Sequence, residues 1–395
     1  MIVLEFKARV KPTQAVAIDE AIRTAQFVRN KALRYWMDNQ GVGKYDLSKL
    51  CKDLAGEFPF AKKLNSMARQ ASAERAWSAI SRFYENGKKG IKPVGFPKFK
   101  KHSRSVEYKT SGWKLLGPKR ITFTDGFGIG ELRLIGTWDL AHYDESLIKR
   151  VRLVRRADGY YVQFCIQAEC QVQVEPSQKA VGIDLGLRYF IAASNGMVVE
   201  APQFYRQAEA QLNRANRQKS KKFRKGAKPQ SKNYHKARVR YARTHLSVSR
   251  QRHEWLKDQA LRLVQSNDLV AYEDLNVKGL IRNRHLAKSI SDAGWSTFRH
   301  WLEYFGVKYG KVTVAVPPHY TSQTCSNCGE TVYKALSVRT HQCPHCGYEA
   351  DRDVNAAINI LRLGLRTVGH TGTYTLGEIG PLAGLEQSCS VKSGR

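Results

Sequence analysis

Acidic residues are scarce in this chain: 34 Asp and Glu face 66 Lys and Arg over 395 residues, a formal charge of +32. Such a surplus points to a polyanionic partner, nucleic acid in the usual case and an anionic membrane surface in the alternative. Long apolar runs are also missing. No stretch holds the ~18 consecutive apolar residues of a spanning helix, so no membrane-spanning helix is expected. Residues Met1 to Arg9 alternate polar and apolar, unlike a signal peptide. The cysteines form no disulfide framework: Cys51, Cys165, Cys170 and Cys389 are scattered and read as free thiols of an intracellular protein. No internal repeat is present, and no local motif marks a transesterifying Tyr or Ser. With 42% hydrophobic residues the chain still has ample material for two to four folded domains.

The periodicity changes along the chain. Ile2, Leu4, Phe6 and Ala8 alternate with polar neighbours and predict a strand ending before Pro12. Thr13 is a candidate cap for a helix reaching about Asp38, and further helices are expected at 45–58 and 65–87. Short β-rich runs follow between 105 and 170, with Arg156-Ala157-Asp158-Gly159 as a hairpin turn. The helices therefore look inserted into a small β-barrel that includes the first strand. After a linker at 174–179, Ala180–Asp184 and Leu269–Glu273 read as apolar strands that each end in a carboxylate. A hairpin around Asn195-Gly196 and a helical stretch at 203–265, broken at Gly226 to Pro229, lie between them. A helix at 293–309 and a strand at 311–316 come next. Residues 364–395 lack periodicity and are expected to form a loose tail.

Four cysteines carry the clearest chemistry. Cys325, Cys328, Cys343 and Cys346 form two Cys-x-x-Cys knuckles separated by fourteen residues. That pattern suits one tetrahedral, structural Zn²⁺ with no open coordination position; the rival is a redox dithiol, which would not need two matched pairs. Gly329 and Gly347 follow the knuckles, where tight turns would bring backbone amides to the thiolates. Behind them Asp351-Arg352-Asp353 opens a helix.

Asp184, Glu273 and Asp353 are the candidate catalytic acids. Two divalent ions about 4 Å apart need hard oxygen ligands from several elements, and neighbouring strand ends can supply them. A single Asp after a strand is usually only a turn or cap residue. The ordered series of strand-Asp, hairpin, helical insert, strand-Glu, helix and Asp is far more specific. In so basic a chain it suggests a metal-dependent nuclease.

Two basic segments are candidates for nucleic-acid contact. Residues 205–254 hold sixteen Lys or Arg against Glu209 and Glu254 alone. Phosphate contact is the sharper reading and a solvated helical face the plainer one. Phe96 to Lys101, with His102 and Arg104, interleaves aromatic and basic groups. It suits phosphate contact and base stacking, or else an ordinary entry to the barrel with Phe96 and Phe99 buried. Trp295 and Trp301 read as core.

Gly182-Ile183-Asp184-Leu185-Gly186, Tyr272-Glu273-Asp274-Leu275 and Asp353-Val354-Asn355-Ala356-Ala357 resemble the three motifs of a RuvC-type nuclease. With the cysteines between the second and third motifs, and with Ser289 to Trp295 and Tyr320 to Cys325, they resemble the TnpB family, transposon-encoded relatives of the type V CRISPR effectors. The likeness covers nearly the whole chain and is specific from about 180 to 363. It implies a multidomain α/β fold with an RNase H-like (RuvC) domain at 178–363, basic insert 203–265 and zinc ribbon 319–350. It also implies a β-barrel from 1–11 and 97–177 and a helical recognition domain at 12–96. Asp184, Glu273 and Asp353 would hold two Mg²⁺ ions, with Asp274 and Asp351 as neighbours rather than ligands. The implied activity is RNA-guided DNA cleavage beside a short flanking motif, with a guide RNA from the transposon end and double-stranded target DNA as partners. A catalytically idle RNA-guided DNA binder and a DNA transposase acting without RNA are the alternatives. A cytoplasmic, nucleoid-associated protein is expected.

Overall fold

Leu4, Phe6 and Ala8 point inward from strand β1 (Ile2–Arg9), while Val3, Lys7 and Arg9 face solvent. This alternation lets one face of the strand enter a core. The computed structural model describes residues 1–168, 171–227, 229–335 and 337–369. It divides between Cys170 and Gln171 into two units, a few residues ahead of the linker expected at 174–179.

In the first unit, β1 is followed by α1 (Pro12–Asp38), α2 (Lys44–Glu57), α3 (Pro59–Lys63) and α4 (Ser66–Lys88). The helix starts at Pro12 rather than after Thr13. Proline suits a first helical turn, and the Gln14 side chain accepts from the Lys11 amide. The expected helix at 45–58 ends at Glu57, and Pro59 begins a separate short helix, because proline disfavours helical geometry at Phe58. Six strands follow: β2 (Ser105–Lys109), β3 (Trp113–Gly117), β4 (Arg120–Phe123), β5 (Glu131–Ile135), β6 (Ile148–Arg156) and β7 (Gly159–Ile166). With β1 they make one antiparallel sheet of order β2-β6-β7-β1-β5-β4-β3, in which β1 pairs with both β5 and β7. Phe6, Tyr108, Ile121, Leu132 and Phe164 fill its core together with Ile18 and Ile22 of α1. Val28, Leu33, Leu47, Leu54 and Ile80 form a separate core among the helices.

The second unit contains β8 (Ala180–Asp184), β9 (Tyr189–Ala193), β10 (Val198–Glu200), α5 (Phe204–Lys221), α6 (Lys232–Ser266), β11 (Leu269–Glu273), α7 (Val277–Leu280), α8 (Ala287–Ala293), α9 (Trp295–Tyr309), β12 (Val312–Val316), β13 (Thr340–Gln342), β14 (Glu349–Asp351) and α10 (Arg352–Thr367). The helix expected at 293–309 is α9, which begins at Trp295; Gly294, at φ +71°, separates it from α8, a helix not expected from the sequence. Five strands make a sheet of order β10-β9-β8-β11-β12, with β8, β11 and β12 parallel and β9 and β10 antiparallel. All five residues of β11 are buried, as a strand covered on both faces requires. Val270 and Tyr272 pack in the core with α6 and α9; Leu269 and Ala271 share the opposite core with Ile360 and Leu365 of α10. Helix α10 runs on to Thr367, into the stretch expected to be loose; the rest of that tail, from 370, lies outside the described residues. At the far end of the sheet Lys311 and Asp268, each 5% exposed, form an ion pair, and Asp268 also accepts the amides of Ser177 (2.9 Å) and Gln178 (2.6 Å).

Candidate metal centres

Asp184 and Glu273 end two adjacent parallel strands. The register pairs Ile183 with Tyr272, so the two carboxylates leave the sheet side by side at its C-terminal edge. Asp353 comes from the first turn of α10, which lies across β8 and β11. Asp351 caps that helix by accepting from the amides of Asp353 (2.8 Å) and Val354 (3.2 Å). A carboxylate in a first turn is favoured by the unsatisfied amides there.

The charges of Glu273 and Asp353 act on Asp184, and the three acids are poorly hydrated. Glu273 is 9% exposed, Asp353 8%, and Asp184 half-buried. Burial pushes Asp184 up to about 8, and the charges of Glu273 and Asp353 push the same way, against Arg352 and the Leu185 amide. Burial also raises Glu273, opposed by a hydrogen bond from Thr321. Arg352 donates to Asp353 Oδ1 from Nε at 3.0 Å and Nη2 at 2.9 Å, and Arg339 lies 3.7 Å from Oδ2. Asp274, next to Glu273, is paired with Arg299 instead. Beside Glu273 a cavity of ≈ 260 Å³ opens between Tyr272, Trp295, His300 and Glu303. The donors are all hard oxygens, so the set fits a hard divalent cation such as Mg²⁺.

The four knuckle cysteines converge independently. Their thiol sulfurs all lie within 4.8 Å of one another, the geometry of a tetrathiolate site for Zn²⁺. Gly329 and Gly347 adopt φ of +84° and +71°, and their amides donate back to Cys325 O and Cys343 O, each at 2.9 Å. The Tyr348 amide, with the Asn327 side chain, pulls the Cys346 thiol down to about 6. Cys328 is pushed up to about 12: the Glu330 amide lowers it, but desolvation and the other three thiols outweigh that pull. Four thiols so placed suit a thiophilic cation.

Three polar residues that the sequence did not mark as site residues, Thr321, Asn355 and Asn359, join the two centres. Thr321 donates to Glu273 Oε1 at 2.5 Å. Asn355 donates to Thr324 O at 2.8 Å, and Asn359 donates to Thr321 O at 2.9 Å and Thr324 O at 2.7 Å. Their helical spacing of four was the available signal, since it places both amides on one face of α10.

The basic segments lie on the surface. Phe96 and Phe99 are 54% and 45% exposed, contrary to the buried alternative. Asn30 grips Lys100 through both its amide and its carbonyl, each at 2.9 Å, and Gln26 accepts from the Ser103 amide at 2.5 Å. Residues 98–103 are thereby held along α1 with Lys98, Lys100, Lys101 and His102 turned to solvent. In the other unit, the insert forms α5 and α6 packed as a pair, joined by a turn that carries Lys222, Arg224 and Lys225. Trp295 is buried; Trp301 stacks on Phe305 at 5.4 Å.

Two family models match the chain, one described as "Probable transposase" over residues 163–284 and one as "Cas12f1-like, TNB domain" over 295–360. A chain of a Cas12f1–sgRNA–target DNA complex superposes with a TM-score of 0.56 at 15% identity, covering 88% of this chain and 82% of that one. The fold is thus similar to that of Cas12f1, an α/β architecture that here carries a cluster of four cysteines. Among curated proteins, a "Putative RNA-guided DNA endonuclease" of Streptomyces pristinaespiralis is 30% identical over 91% of this chain and 89% of its own length. The "Putative RNA-guided DNA endonuclease InsQ" of Escherichia coli (strain K12) is 27% identical over 91% and 92%. The chain belongs to the TnpB family. Among the described residues no helix is long and apolar enough to cross a membrane.

Proposed function

We propose that this protein is a transposon-encoded, RNA-guided DNA endonuclease that cuts target DNA beside a short flanking motif. The observation that carries the reading is the convergence of Asp184, Glu273 and Asp353, where burial first, and then the charges of Glu273 and Asp353, raise Asp184 to about 8. Without a cation such a cluster costs stability; with one it becomes a ligand set. The mixed five-strand sheet, with carboxylates at two adjacent strand ends and a third on the crossing helix, supports an RNase H-like (RuvC) centre.

When bound, two Mg²⁺ ions would activate the attacking water and stabilise the leaving 3′ oxygen. The protein's part is to position ligands. Strands β8 and β11 hold Asp184 and Glu273 in register, and the capped start of α10 fixes Asp353. Arg352 and Arg339 place positive charge at Asp353 where a phosphate would approach. The four cysteines would bind a Zn²⁺ whose role is structural, because four thiolates fill its shell.

The seven-strand antiparallel sheet is read as the β-barrel (wedge-like) domain and the helices at 12–96 as the recognition domain. Together they would hold the guide–target heteroduplex and read the flanking motif. The relatives' names and the charge of +32 support guide RNA and target DNA as partners. The exposed strip at 98–104 and the insert helices supply phosphate-binding charge. A cleavage assay tests the proposal. The protein is co-expressed with the DNA flanking its gene and given guide-matched plasmid with a randomised flank and Mg²⁺. Cutting of matched targets alone, lost in Asp184→Ala, is expected. Matched binding without cutting would identify an idle binder, and absence of a discrete co-purifying RNA would point to a transposase acting alone.

A further inference from the structure

Among the polar side chains around the acids, one hydroxyl stands out. Thr321 is 5% exposed and lies in the loop between β12 and the first knuckle, four residues before Cys325. Its Oγ1 donates to Glu273 Oε1 at 2.5 Å. Nothing in the role of a metal knuckle requires that contact.

The loop cannot drift, because α10 holds it at several points. Asn359 takes the carbonyls of Thr321 and Thr324, Asn355 takes the Thr324 carbonyl and accepts from the Ser326 amide at 2.8 Å, and Arg362 donates to Ser326 O. Positions 355, 359 and 362 recur at four and three residues, so they form one stripe on the helix. Asn355 is fully buried, and Asn359 is nearly so. Side-chain amides in such surroundings are retained only when their hydrogen bonds are satisfied, which makes the loop conformation specific. The same helix carries Asp353 in its first turn. One rigid element therefore sets Asp353 directly and Glu273 through the hydroxyl of Thr321.

We infer that Thr321 is a positioning residue for Glu273, and that Asn355 and Asn359 tie the cysteine knuckle and the carboxylate cluster into one mechanical unit. A carboxylate free to rotate offers its oxygens to a cation in many orientations. One whose Oε1 is already engaged presents Oε2 in a single direction. This is how a partner outside the ligand set tunes a metal site. The inference rests on the reading of Glu273 as a metal ligand, and the test separates the two.

Mn²⁺ serves as the probe of the hard-cation site, added without substrate to the full-length protein and followed by electron paramagnetic resonance. Thr321→Val keeps the shape and removes the hydroxyl; Thr321→Ser keeps the hydroxyl. The Val variant is expected to weaken Mn²⁺ binding by roughly 10- to 100-fold, the usual effect of losing such a partner. Its zinc content should stay unchanged, and Ser should restore the affinity. A purely structural threonine would lower the melting temperature in both variants and leave Mn²⁺ affinity alone. Wild-type affinity in Thr321→Val, alongside lost binding in Glu273→Gln, overturns the positioning role only. Wild-type affinity in Glu273→Gln overturns the metal-site reading itself. Should Thr321→Val fold poorly, Asn359→Ala leaves the hydroxyl in place but cuts its tether, and unaltered Mn²⁺ affinity there counts equally against the inference.

Discussion

A Cβ placed on Gly182 would come within 2.1 Å of the carbonyl oxygen of Ala357. Strand β8 and helix α10 thus meet backbone to backbone, two residues before Asp184 and four residues after Asp353. A Cβ on Gly364 would likewise meet Ala271 Cβ at 2.5 Å, so the helix lies close on β11 as well. The glycines bring two carboxylates from distant parts of the chain into one cluster.

Gly182→Ala should therefore lift α10 off the sheet. Overpacking a core typically costs ~1–3 kcal/mol, and backbone atoms on the far side cannot rotate away. The midpoint of chemical unfolding is expected to fall. Mn²⁺ affinity should drop with it, since Asp353 moves relative to Asp184. An alanine variant with the wild-type midpoint would remove the close contact as the reason for glycine.

Asp184→Ala removes a carboxylate that the fold does not need for packing. Cleavage of matched DNA should disappear, while guide-RNA binding, measured by filter retention, stays within about twofold. The melting temperature should hold or rise, because the desolvation and then the repulsion that disfavour the Asp184 carboxylate are gone. Retained cutting would sink the assignment of the metal site.

These relationships were unequally legible in the sequence. Strand β11 could be read because four apolar or aromatic positions run without a break into Glu273, and β1 because Leu4, Phe6 and Ala8 alternate. The paired knuckles were legible because metal chemistry dictates their spacing. Gly182 was quoted as part of a motif, but its physical reason lies in a helix nearly two hundred residues away. Thr321 lay in the stretch Tyr320 to Cys325 that resembles the family, but its contact could not be read, since its partner Glu273 is 48 positions distant and no periodicity links them. Strand β3 is hard to read from sequence: Trp113–Gly117 is short, and Trp113 alone combines strong β-favouring character with deep burial. The exposure of Phe96 and Phe99 was equally hidden, because it depends on Gln26 and Asn30 gripping the main chain.

Cys325→Ser tests the knuckle. Cys325 is fully buried between Thr324 and Ser326, both of which are held by α10. Losing one thiolate should abolish stoichiometric zinc, measured by atomic absorption, and destabilise the second unit. The expected cost exceeds that of Cys165→Ser, a buried cysteine outside the cluster. Zinc bound at the wild-type level would count against the four-cysteine site.

The strip along α1 makes a prediction about salt. Each lysine that neutralises a phosphate contributes about 0.7 to 0.9 to the slope of log affinity against log salt. Replacing Lys98, Lys100 and Lys101 together by alanine should weaken nucleic-acid binding and flatten that slope by about two. The fold should be unaffected, since all three side chains are exposed. A variant with the original slope would return these lysines to the plain solvated surface.

The pH dependence of the acids can be separated from that of the rest of the fold. Asp184 is raised to about 8 in the folded protein, against about 3.9 in an unfolded chain. A raised group favours folding while protonated, so its contribution is complete below about pH 4 and is lost as pH climbs through 8. Glu273 is shifted in the same direction. Asp268 behaves oppositely: despite the cost of burial, Lys311 and the Ser177 and Gln178 amides hold it below the usual carboxylate range. Its contribution is present above about pH 4 and disappears only in acid. Between pH 5 and 8 the cation-free melting temperature should therefore fall with a slope that Asp184→Asn flattens. Mg²⁺ competes with the proton for the same oxygens, so it should stabilise most at the alkaline end. Below pH 8 the Mg²⁺ concentration for half-saturation should rise, approaching tenfold per pH unit for one displaced proton. Thermal melts across a grid of pH and Mg²⁺ measure both effects. Identical pH profiles for the wild type and Asp184→Asn would show that Asp184 is already ionised without a cation, and the crowding argument for the metal site would fall with it.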